Sequence, residues 1–292
     1  PELLLTRPQD GVARGERLCV TWNEADPAPL SAPPLQNRLI GGIRLFAAIL
    51  ITAVLGVFFV LGATLRKTLG HVVSYHFWIA RLWARICVAL LGMRQEVRGA
   101  PIAEGALVAN HCSWSDIVVL RSVRLVYFVS KSDVAKWVGV GFLAKIAGTV
   151  FIERKRVEAK RQEAVLRDRI AAGQLLCFFP EGTSTDGMRV LPFKSSLFSA
   201  FFSDVPSDKI WIQPVSVRYL TAEGSGLPEN FFGWWGSMPF GGHIRAVMSR
   251  SFGSRVIVTF HEPVHPSEFA DRKALADHCH AIVQKGHAEA GR

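Results

Sequence analysis

The feature that most constrains the fold is an uncharged run of 19 residues, LFAAILITAVLGVFFVLGA, at positions 45–63. A helix of about 20 apolar residues crosses the hydrocarbon core of a bilayer, so this run predicts a transmembrane helix. Basic residues flank both ends, with Arg38 and Arg44 on one side and Arg66 and Lys67 on the other. The positive-inside rule therefore leaves the orientation open. The alternative is a core helix buried inside a folded domain.

A second segment, residues 71–92, has a helical pattern but carries charges within it. Arg81 and Arg85 are four residues apart and so share one helical face. Apolar side chains at the same spacing line another face: Trp78, Leu82, Ile86 and Leu90. The pattern predicts an amphipathic helix at the membrane interface, packed beside the first helix. We expect residues 38–96 to form a membrane-anchoring helical hairpin.

The remainder of the chain divides into a tail and one larger domain. Residues 1–37 include the proline-rich stretch DPAPLSAPPLQN and are predicted to be a disordered tail. From residue 97 onward, short apolar strands alternate with helices. The predicted strands are 105–110, 125–130, 148–154, 174–182, 209–220 and 254–264, and the predicted helices are 156–173 and 266–290. This alternation predicts an α/β domain over residues 97–292, with a central, mostly parallel sheet flanked by helices.

Composition and charge indicate which class of partner the chain binds, a membrane surface or nucleic acid. Hydrophobic residues make up 49% of the 292, and the net charge is +10. Residues 121–169 hold 12 Lys/Arg against 5 Asp/Glu, a surplus of seven positive charges. Because no nucleic-acid-binding motif is evident, an anionic membrane surface is the expected partner and nucleic acid is not. The five cysteines lack metal-binding spacing, which predicts free thiols in a reducing compartment and no metal site.

Two ionisable residues follow the first predicted strand of the domain, in the stretch NHCSWSDIV. His111 and Asp116 are five residues apart, which on a regular helix separates their side chains by about 140°. They can meet if His111 lies in the loop after the strand and Asp116 lies in the first turn of a helix. A carboxylate beside imidazole fixes its tautomer and makes it a general base. The alternative is a helix-capping aspartate beside a surface histidine.

In the stretch CFFPEGTSTDG, residues 177–187, a predicted strand ends at Pro180 and is followed by a turn that contains Gly182. Gly182 allows the backbone to approach a ligand closely, and backbone amides can stabilise an oxyanion. An ordinary polar turn is the alternative. The letters GTSTD also approach the G-x-S-x-G elbow of α/β-hydrolases, with Ser184 as nucleophile and His261 as a candidate base. Asp186 in place of the last glycine weakens that match.

Two further stretches carry weaker signals. Arg154, in GTVFIER, ends a predicted strand and could reach a phosphate with a forked contact. A solvated charge run is the alternative there. Pro214, in IQPVSVRY, marks an edge or an irregular point in a strand.

Taken together and in this order, these stretches resemble the glycerolipid acyltransferase family, which includes the lysophosphatidic acid (1-acylglycerol-3-phosphate) acyltransferases. The family pattern has four blocks: N-H-x-x-x-x-D, F-I-x-R, F-P-E-G-T-R-S, and an apolar segment around a proline. Here they read NHCSWSD, VFIER, FPEGTST and QPVSV, within residues 97–220. The two helical segments before them also look like the membrane-seated helices of bacterial members.

The resemblance implies roles for individual residues. His111 would be the base, Asp116 its orienting partner, and Arg154 a contact to the polar head of the acceptor. The residues expected to shape the acceptor pocket near the dyad are Glu181, Gly182 and Thr183. Lys131, in VSKSD, matches the K-x-E position of the family, with Asp133 in place of the glutamate.

One departure bears on the acceptor. Members of the family usually have arginine after E-G-T, where this chain has Ser184. Loss of that charge argues against a phosphomonoester acceptor such as lysophosphatidic acid. The run STDGMRVLPFKSSLF is similar to the lyso-ornithine lipid acyltransferase branch, which acylates a hydroxyl on an amino-acid-headed lipid. Arg189 or Lys194 could partly replace the missing charge, so both acceptors stay open.

The resemblance further implies direct transfer of a fatty acyl group to a lysolipid hydroxyl. The donor would be the thioester of acyl carrier protein or coenzyme A, with no cofactor, metal or covalent acyl-enzyme. The expected location is the inner membrane, with the site on its cytoplasmic face. Two other hypotheses are a serine lipase or esterase that uses Ser184, and a non-catalytic membrane lipid-binding protein.

Overall fold

The computed structural model describes residues 33–69, 75–137, 139–152, 159–202 and 210–291. Within these ranges the helices are α1 (Leu35–Leu69), α2 (Tyr75–Leu90), α3 (Ser115–Val123), α4 (Val140–Ile146), α5 (Ala159–Ala171), α6 (Phe240–Arg250) and α7 (Arg272–Glu289). The strands are β1 (Arg94–Arg98), β2 (Gly105–Ala109), β3 (Tyr127–Lys131), β4 (Val150–Ile152), β5 (Leu175–Phe178), β6 (Ile212–Leu220) and β7 (Arg255–Phe260). Most of the predicted tail lies outside the described residues.

The strands form a seven-stranded sheet in the order β1-β7-β6-β2-β5-β3-β4. Five of its six pairings are parallel, and β6 with β7 is antiparallel. This confirms the predicted mostly parallel sheet flanked by helices. The strands β6, β2, β5, β3 and β4 all run in one direction, so their carboxyl ends meet at one edge. Ligand sites of open α/β sheets lie at that edge.

The central strands of the sheet are buried on both faces, which explains their apolar sequences. All five residues of β2 are buried, and neighbouring side chains point into different cores because side chains alternate along a strand. Leu107 belongs to the cluster that includes residues of α2, α3 and α6. Val108 belongs to the second cluster, which includes residues of α5 and α7.

Helix α1 is long and apolar enough to cross a membrane over Leu35–Arg66. Only 6% of its most apolar window is buried, so the alternative of a buried core helix is wrong. Its early turns contact the domain, where Arg44 Nη1 donates a hydrogen bond to the carbonyl of Met248 in α6 (3.2 Å). Large apolar side chains farther along are exposed: Phe46, Ile49, Leu50, Val54, Val57, Phe58 and Leu61. Membrane crossing itself stays a prediction.

Helix α2 packs beside α1, but it is not a second candidate span. Trp83 Nε1 donates to Thr52 Oγ1 of α1 (2.9 Å). With 16 residues, α2 is too short to cross a bilayer core of about 30 Å. Its charged face turns toward the domain, because Arg81 Nε and Arg85 Nε both donate to the carbonyl of Ser122 in the last turn of α3 (3.3 Å each). Among the residues that the structure describes, there is therefore one candidate membrane helix rather than an embedded pair.

Several elements were not predicted. Strand β1, with the polar sequence RQEVR, lies across the expected boundary at residues 96 and 97. It is an edge strand that pairs in parallel with β7, so it shows little of the apolar pattern of the central strands. Helix α6 contains Gly241 and Gly242, which lower the helix propensity of its first turn. The short helix α4 was also missed, whereas α3 begins where the spacing of His111 and Asp116 requires a helix.

Gln213 provides a test of the fold away from the candidate site. Its Nε2 donates to the carbonyls of Ala100 and His261 (2.9 Å each), and its Oε1 accepts from the Ile102 N–H (3.0 Å). We expect Gln213→Leu to lower the free energy of unfolding by about 2 to 4 kcal/mol, because it leaves buried polar groups unpaired. The exposed control Gln284→Leu should stay within about 0.5 kcal/mol of wild type. Urea unfolding in detergent followed by circular dichroism measures both, and equal stability of the two variants would contradict this account of Gln213.

Candidate active site

His111 and Asp116 meet in the loop that joins β2 to α3. His111 follows the buried strand closely, and Asp116 lies in the first turn of α3. His111 Nδ1 is 2.7 Å from Asp116 Oδ2. This is the strand–loop–helix arrangement that the spacing predicts, although the catalytic roles stay predictions. Because an ionised carboxylate only accepts hydrogen bonds, Nδ1 carries the proton and Nε2 keeps its lone pair.

The Asp116 carboxylate is fully buried and receives hydrogen bonds from four strong donors, besides the weak Cys112 thiol at 3.9 Å. Besides His111, the backbone N–H groups of Cys112 (2.9 Å) and Ser113 (3.0 Å) donate to Oδ2. The hydroxyl of Tyr219 donates to Oδ1 (2.8 Å). A buried charge is costly unless it is well hydrogen-bonded. These donors therefore stabilise the buried carboxylate and fix the direction in which it faces the imidazole.

The imidazole ring of His111 is fixed by a stacking contact as well as by its hydrogen bond to Asp116. It stacks on Phe179, with ring centroids 4.1 Å apart and planes 16° from parallel. Phe128 in turn stacks with Phe179, with centroids 6.1 Å apart. The His111 side chain keeps 20% of its surface exposed, whereas that of Asp116 has none. The imidazole can thus reach a substrate while its orientation is fixed from two directions.

The third sequence block holds the backbone of His111. Glu181 Oε1 accepts from the His111 N–H (2.6 Å), and its Oε2 accepts from the Leu191 N–H (2.7 Å). The N–H of Thr185 donates to the carbonyl of His111 (3.0 Å). Burial raises the pKa of the Glu181 carboxyl to about 8. The two N–H donors act in the opposite direction and lower this pKa, because they favour the ionised form. Both oxygens of Glu181 are thus engaged by the protein backbone, and its contact with substrate stays a prediction.

The glycine turn brings the third block over the dyad. Gly182 has φ +72°, a conformation that favours glycine, and its N–H closes the turn on the carbonyl of Phe179 (3.0 Å). Gly187 has φ +74°, and a Cβ there would lie 3.2 Å from Cys112 Cβ. Thr183 is half-buried beside this turn. The acceptor-pocket roles expected of Gly182 and Thr183 stay predictions.

Of the two basic residues expected at the site, the structure describes Lys131 but not Arg154. Lys131 is the last residue of β3 and is half-buried. Since β3 is parallel to β5, Lys131 ends at the same sheet edge as the dyad. Arg154 lies outside the described residues, and it follows the last residue of β4 by two positions in the sequence. Head-group binding by either residue stays a prediction.

Two side chains at the dyad were missed by the sequence analysis. Phe179 carries a weak signal, because it directly precedes Pro-Glu-Gly at the end of a strand. Tyr219 carries none, since an aromatic residue in an apolar strand is typical of a core. Its hydroxyl reaches Asp116 because β6 pairs with β2, a contact that joins residues 103 positions apart.

The structure also bears on two other nucleophilic side chains, Ser184 and the cysteine that follows His111. Cys112 is buried, and burial raises the pKa of its thiol well above the ordinary value, which disfavours the reactive thiolate. Ser184 follows the end of β5 by six residues in an irregular loop, whereas a nucleophile elbow needs a direct strand-to-helix turn. His261 Nε2 is 3.0 Å from Ser216 Oγ, so its described partner is a different serine.

Comparison with known proteins places this geometry in context. The family model described as Acyltransferase matches residues 96–218, which include the dyad and the glycine turn. The chain is 49% identical over 209 residues to the lyso-ornithine lipid O-acyltransferase of Rhodobacter capsulatus, covering 71% of this chain and 75% of that one. It is 37% identical over 212 residues to the lyso-ornithine lipid O-acyltransferase of Brucella abortus, covering 68% and 79%.

A solved structure has the same fold. The crystal structure of the 1-acyl-sn-glycerophosphate acyltransferase PlsC from Thermotoga maritima superposes with a TM-score of 0.62. The match covers 87% of this chain and 97% of that one, at 20% sequence identity. At this identity the likeness speaks for the fold alone.

Glu181 gives a prediction about pH. Because its carboxyl keeps a proton in the folded protein at pH values where the unfolded chain has lost it, raising the pH removes stability. We expect the melting temperature of wild type to fall between about pH 5 and pH 9 more steeply than that of Glu181→Gln, which cannot titrate. Differential scanning fluorimetry measures both curves, with the exposed Glu223→Gln as control. Parallel curves for wild type and Glu181→Gln would show that this carboxyl does not titrate in that range.

Proposed function

The chain belongs to the acyltransferase family, and from that membership we propose that it transfers a fatty acyl group from a thioester donor to the hydroxyl of lyso-ornithine lipid. At the coarser level, it is a lysolipid acyltransferase of lipid biosynthesis. The observation that carries the mechanism is the 2.7 Å contact between His111 Nδ1 and the buried carboxylate of Asp116. That contact leaves Nε2 of an accessible imidazole to accept a proton.

In the proposed reaction, His111 Nε2 takes the proton of the acceptor hydroxyl as its oxygen attacks the thioester carbonyl. The oxygen–carbon bond forms while the carbonyl becomes a tetrahedral oxyanion. Backbone amides of the glycine turn would stabilise that charge. The carbon–sulfur bond then breaks, and the imidazolium returns the proton to the leaving thiolate. Asp116 stabilises the imidazolium by electrostatic attraction and keeps the ring in the productive tautomer.

Two features of the chain support the amino-acid-headed acceptor. Ser184 stands where an arginine would supply a fixed positive charge for a phosphate monoester. The long alignments to relatives named lyso-ornithine lipid O-acyltransferase cover about 70% of the chain. We propose that lysophosphatidic acid is the poorer acceptor, because the protein lacks the arginine that would bind its phosphate. Contacts from Arg154 and Lys131 to the carboxylate of an ornithine head group are part of this proposal.

The net charge of the chain supports our proposal for the acyl donor, and the apolar surface of α1 supports our proposal for the location of the enzyme. An excess of Lys and Arg favours an acidic carrier protein or the phosphates of coenzyme A. The exposed apolar surface of α1 would lie in the bilayer, with the basic catalytic domain on an anionic surface. We place this surface on the cytoplasmic face of the inner membrane, where the substrates and reduced thiols would be found. The domain division at residues 37 and 96 stands as a proposal.

A side-by-side assay tests the acceptor. Purified enzyme is offered lyso-ornithine lipid and lysophosphatidic acid at equal surface concentration, with one acyl thioester. We expect kcat/KM to be higher for lyso-ornithine lipid. Ser184→Arg should raise the relative rate with lysophosphatidic acid about tenfold to a hundredfold, since a charge-assisted hydrogen bond contributes about 1.5 to 3 kcal/mol.

The matched control adds the same charge elsewhere. Ser196→Arg, at an exposed position, should leave the ratio of the two rates unchanged. Turnover of lysophosphatidic acid alone by the wild-type enzyme would refute the proposed acceptor. An equal change of the ratio in both arginine variants would refute the role assigned to position 184.

A further inference from the structure

The fourth sequence block, QPVSV, leads directly to a side chain that reaches the dyad from another strand. Tyr219 lies near the carboxyl end of β6, and its hydroxyl donates to Asp116 Oδ1 at 2.8 Å. The other donors to Asp116, apart from the weak Cys112 thiol at 3.9 Å, all bind Oδ2. Tyr219 therefore fixes the oxygen that faces away from the imidazole.

The direction of hydrogen bonding around Tyr219 follows from chemistry. A carboxylate accepts only, so the phenol proton points to Asp116. The phenol oxygen then accepts from Ser115 Oγ at 2.9 Å. The three groups form an ordered chain from Ser115 through Tyr219 to Asp116, in which each bond polarises the next. Burial raises the pKa of the Tyr219 phenol well above its ordinary value, so the donor stays protonated at neutral pH.

The ring of Tyr219 is itself fixed. It is 5% exposed and stacks on Phe232, with centroids 5.2 Å apart and planes 24° from parallel. Two residues earlier in β6, the Val217 N–H and carbonyl form a pair of hydrogen bonds with the side chain of Asn110 (2.7 and 2.9 Å). Asn110 directly precedes His111, so β6 is joined to both ends of the dyad loop. The buried phenol touches Asp116 and has little surface for substrate.

We propose that Tyr219 is a positioning residue for acyl transfer, which acts through Asp116 and makes no contact with substrate. By holding Oδ1, it sets the plane of the carboxylate so that Oδ2 faces His111 Nδ1. Without it, a buried carboxylate oxygen would lack its strong donor, and the carboxylate could rotate. That rotation would weaken the support that the imidazolium receives in the transition state. This inference rests on the proposed function of His111 and Asp116.

The test is a kinetic cycle in the full-length enzyme in detergent–lysolipid micelles. Tyr219→Phe keeps the ring and removes the hydroxyl. We expect kcat to fall about tenfold to a hundredfold, which corresponds to the loss of a hydrogen bond to a charged group. KM for the lysolipid should stay within about twofold, because the phenol does not reach the substrate. Tyr75→Phe, the same change on an exposed tyrosine of α2, should leave both constants unchanged.

The second arm separates positioning from general structural support. In the Asp116→Asn background, Tyr219→Phe should cause little further loss of kcat, because the partner through which it acts is already changed. A purely structural role would instead lower kcat by the same factor in both backgrounds, and that result would overturn the inference. So would wild-type kcat in Tyr219→Phe.

The role of Tyr219 and the mechanism of the His111–Asp116 dyad can be tested separately. If Asp116→Asn is strongly impaired while Tyr219→Phe matches wild type, the role of Tyr219 is wrong and the dyad stands. If Asp116→Asn itself turns over like wild type, the dyad mechanism is wrong and the inference falls with it.

Discussion

The rest of the site depends on one buried charge, the carboxylate of Asp116. A carboxylate with no exposed surface is stable only when donors surround it, and here they come from two distant parts of the chain. The dyad loop supplies the His111 imidazole and two backbone N–H groups, and β6 supplies Tyr219. Because these groups converge only when β2, α3 and β6 are correctly placed, the proposed general base forms only when the sheet folds.

The sheet order explains why separated blocks of sequence meet at the proposed site. Strands β2, β5 and β6 lie side by side in parallel, so the histidine loop, the glycine turn and the tyrosine meet at one edge. Glu181 adds a second buried carboxyl at that edge, yet both its oxygens bind backbone N–H groups. The two acidic residues thus have different tasks, since Asp116 orients the imidazole and Glu181 holds the backbone that carries it.

Much of this arrangement follows from local sequence, and the rest needs tertiary contacts. The apolar runs around Leu107 and Leu176 predict buried parallel strands, and the five-residue spacing of His111 and Asp116 predicts a loop-to-helix turn. The polar edge strand β1 and the glycine-containing α6 lack such periodicity, because pairing and packing rather than pattern stabilise them. Tyr219 could not be assigned from sequence, since only the pairing of β6 with β2 places its hydroxyl beside Asp116. Nor does the charged pattern of α2 reveal that Arg81 and Arg85 bind the end of α3.

The most direct test of the central claim is the single-turnover rate of acyl transfer to lyso-ornithine lipid by His111→Gln, measured beside wild type. General base catalysis contributes about 10² to 10⁴-fold, so the account predicts a loss of that size in a protein with unchanged circular dichroism and unfolding midpoint. A rate within about threefold of wild type would show that the imidazole held by Asp116 is not the base.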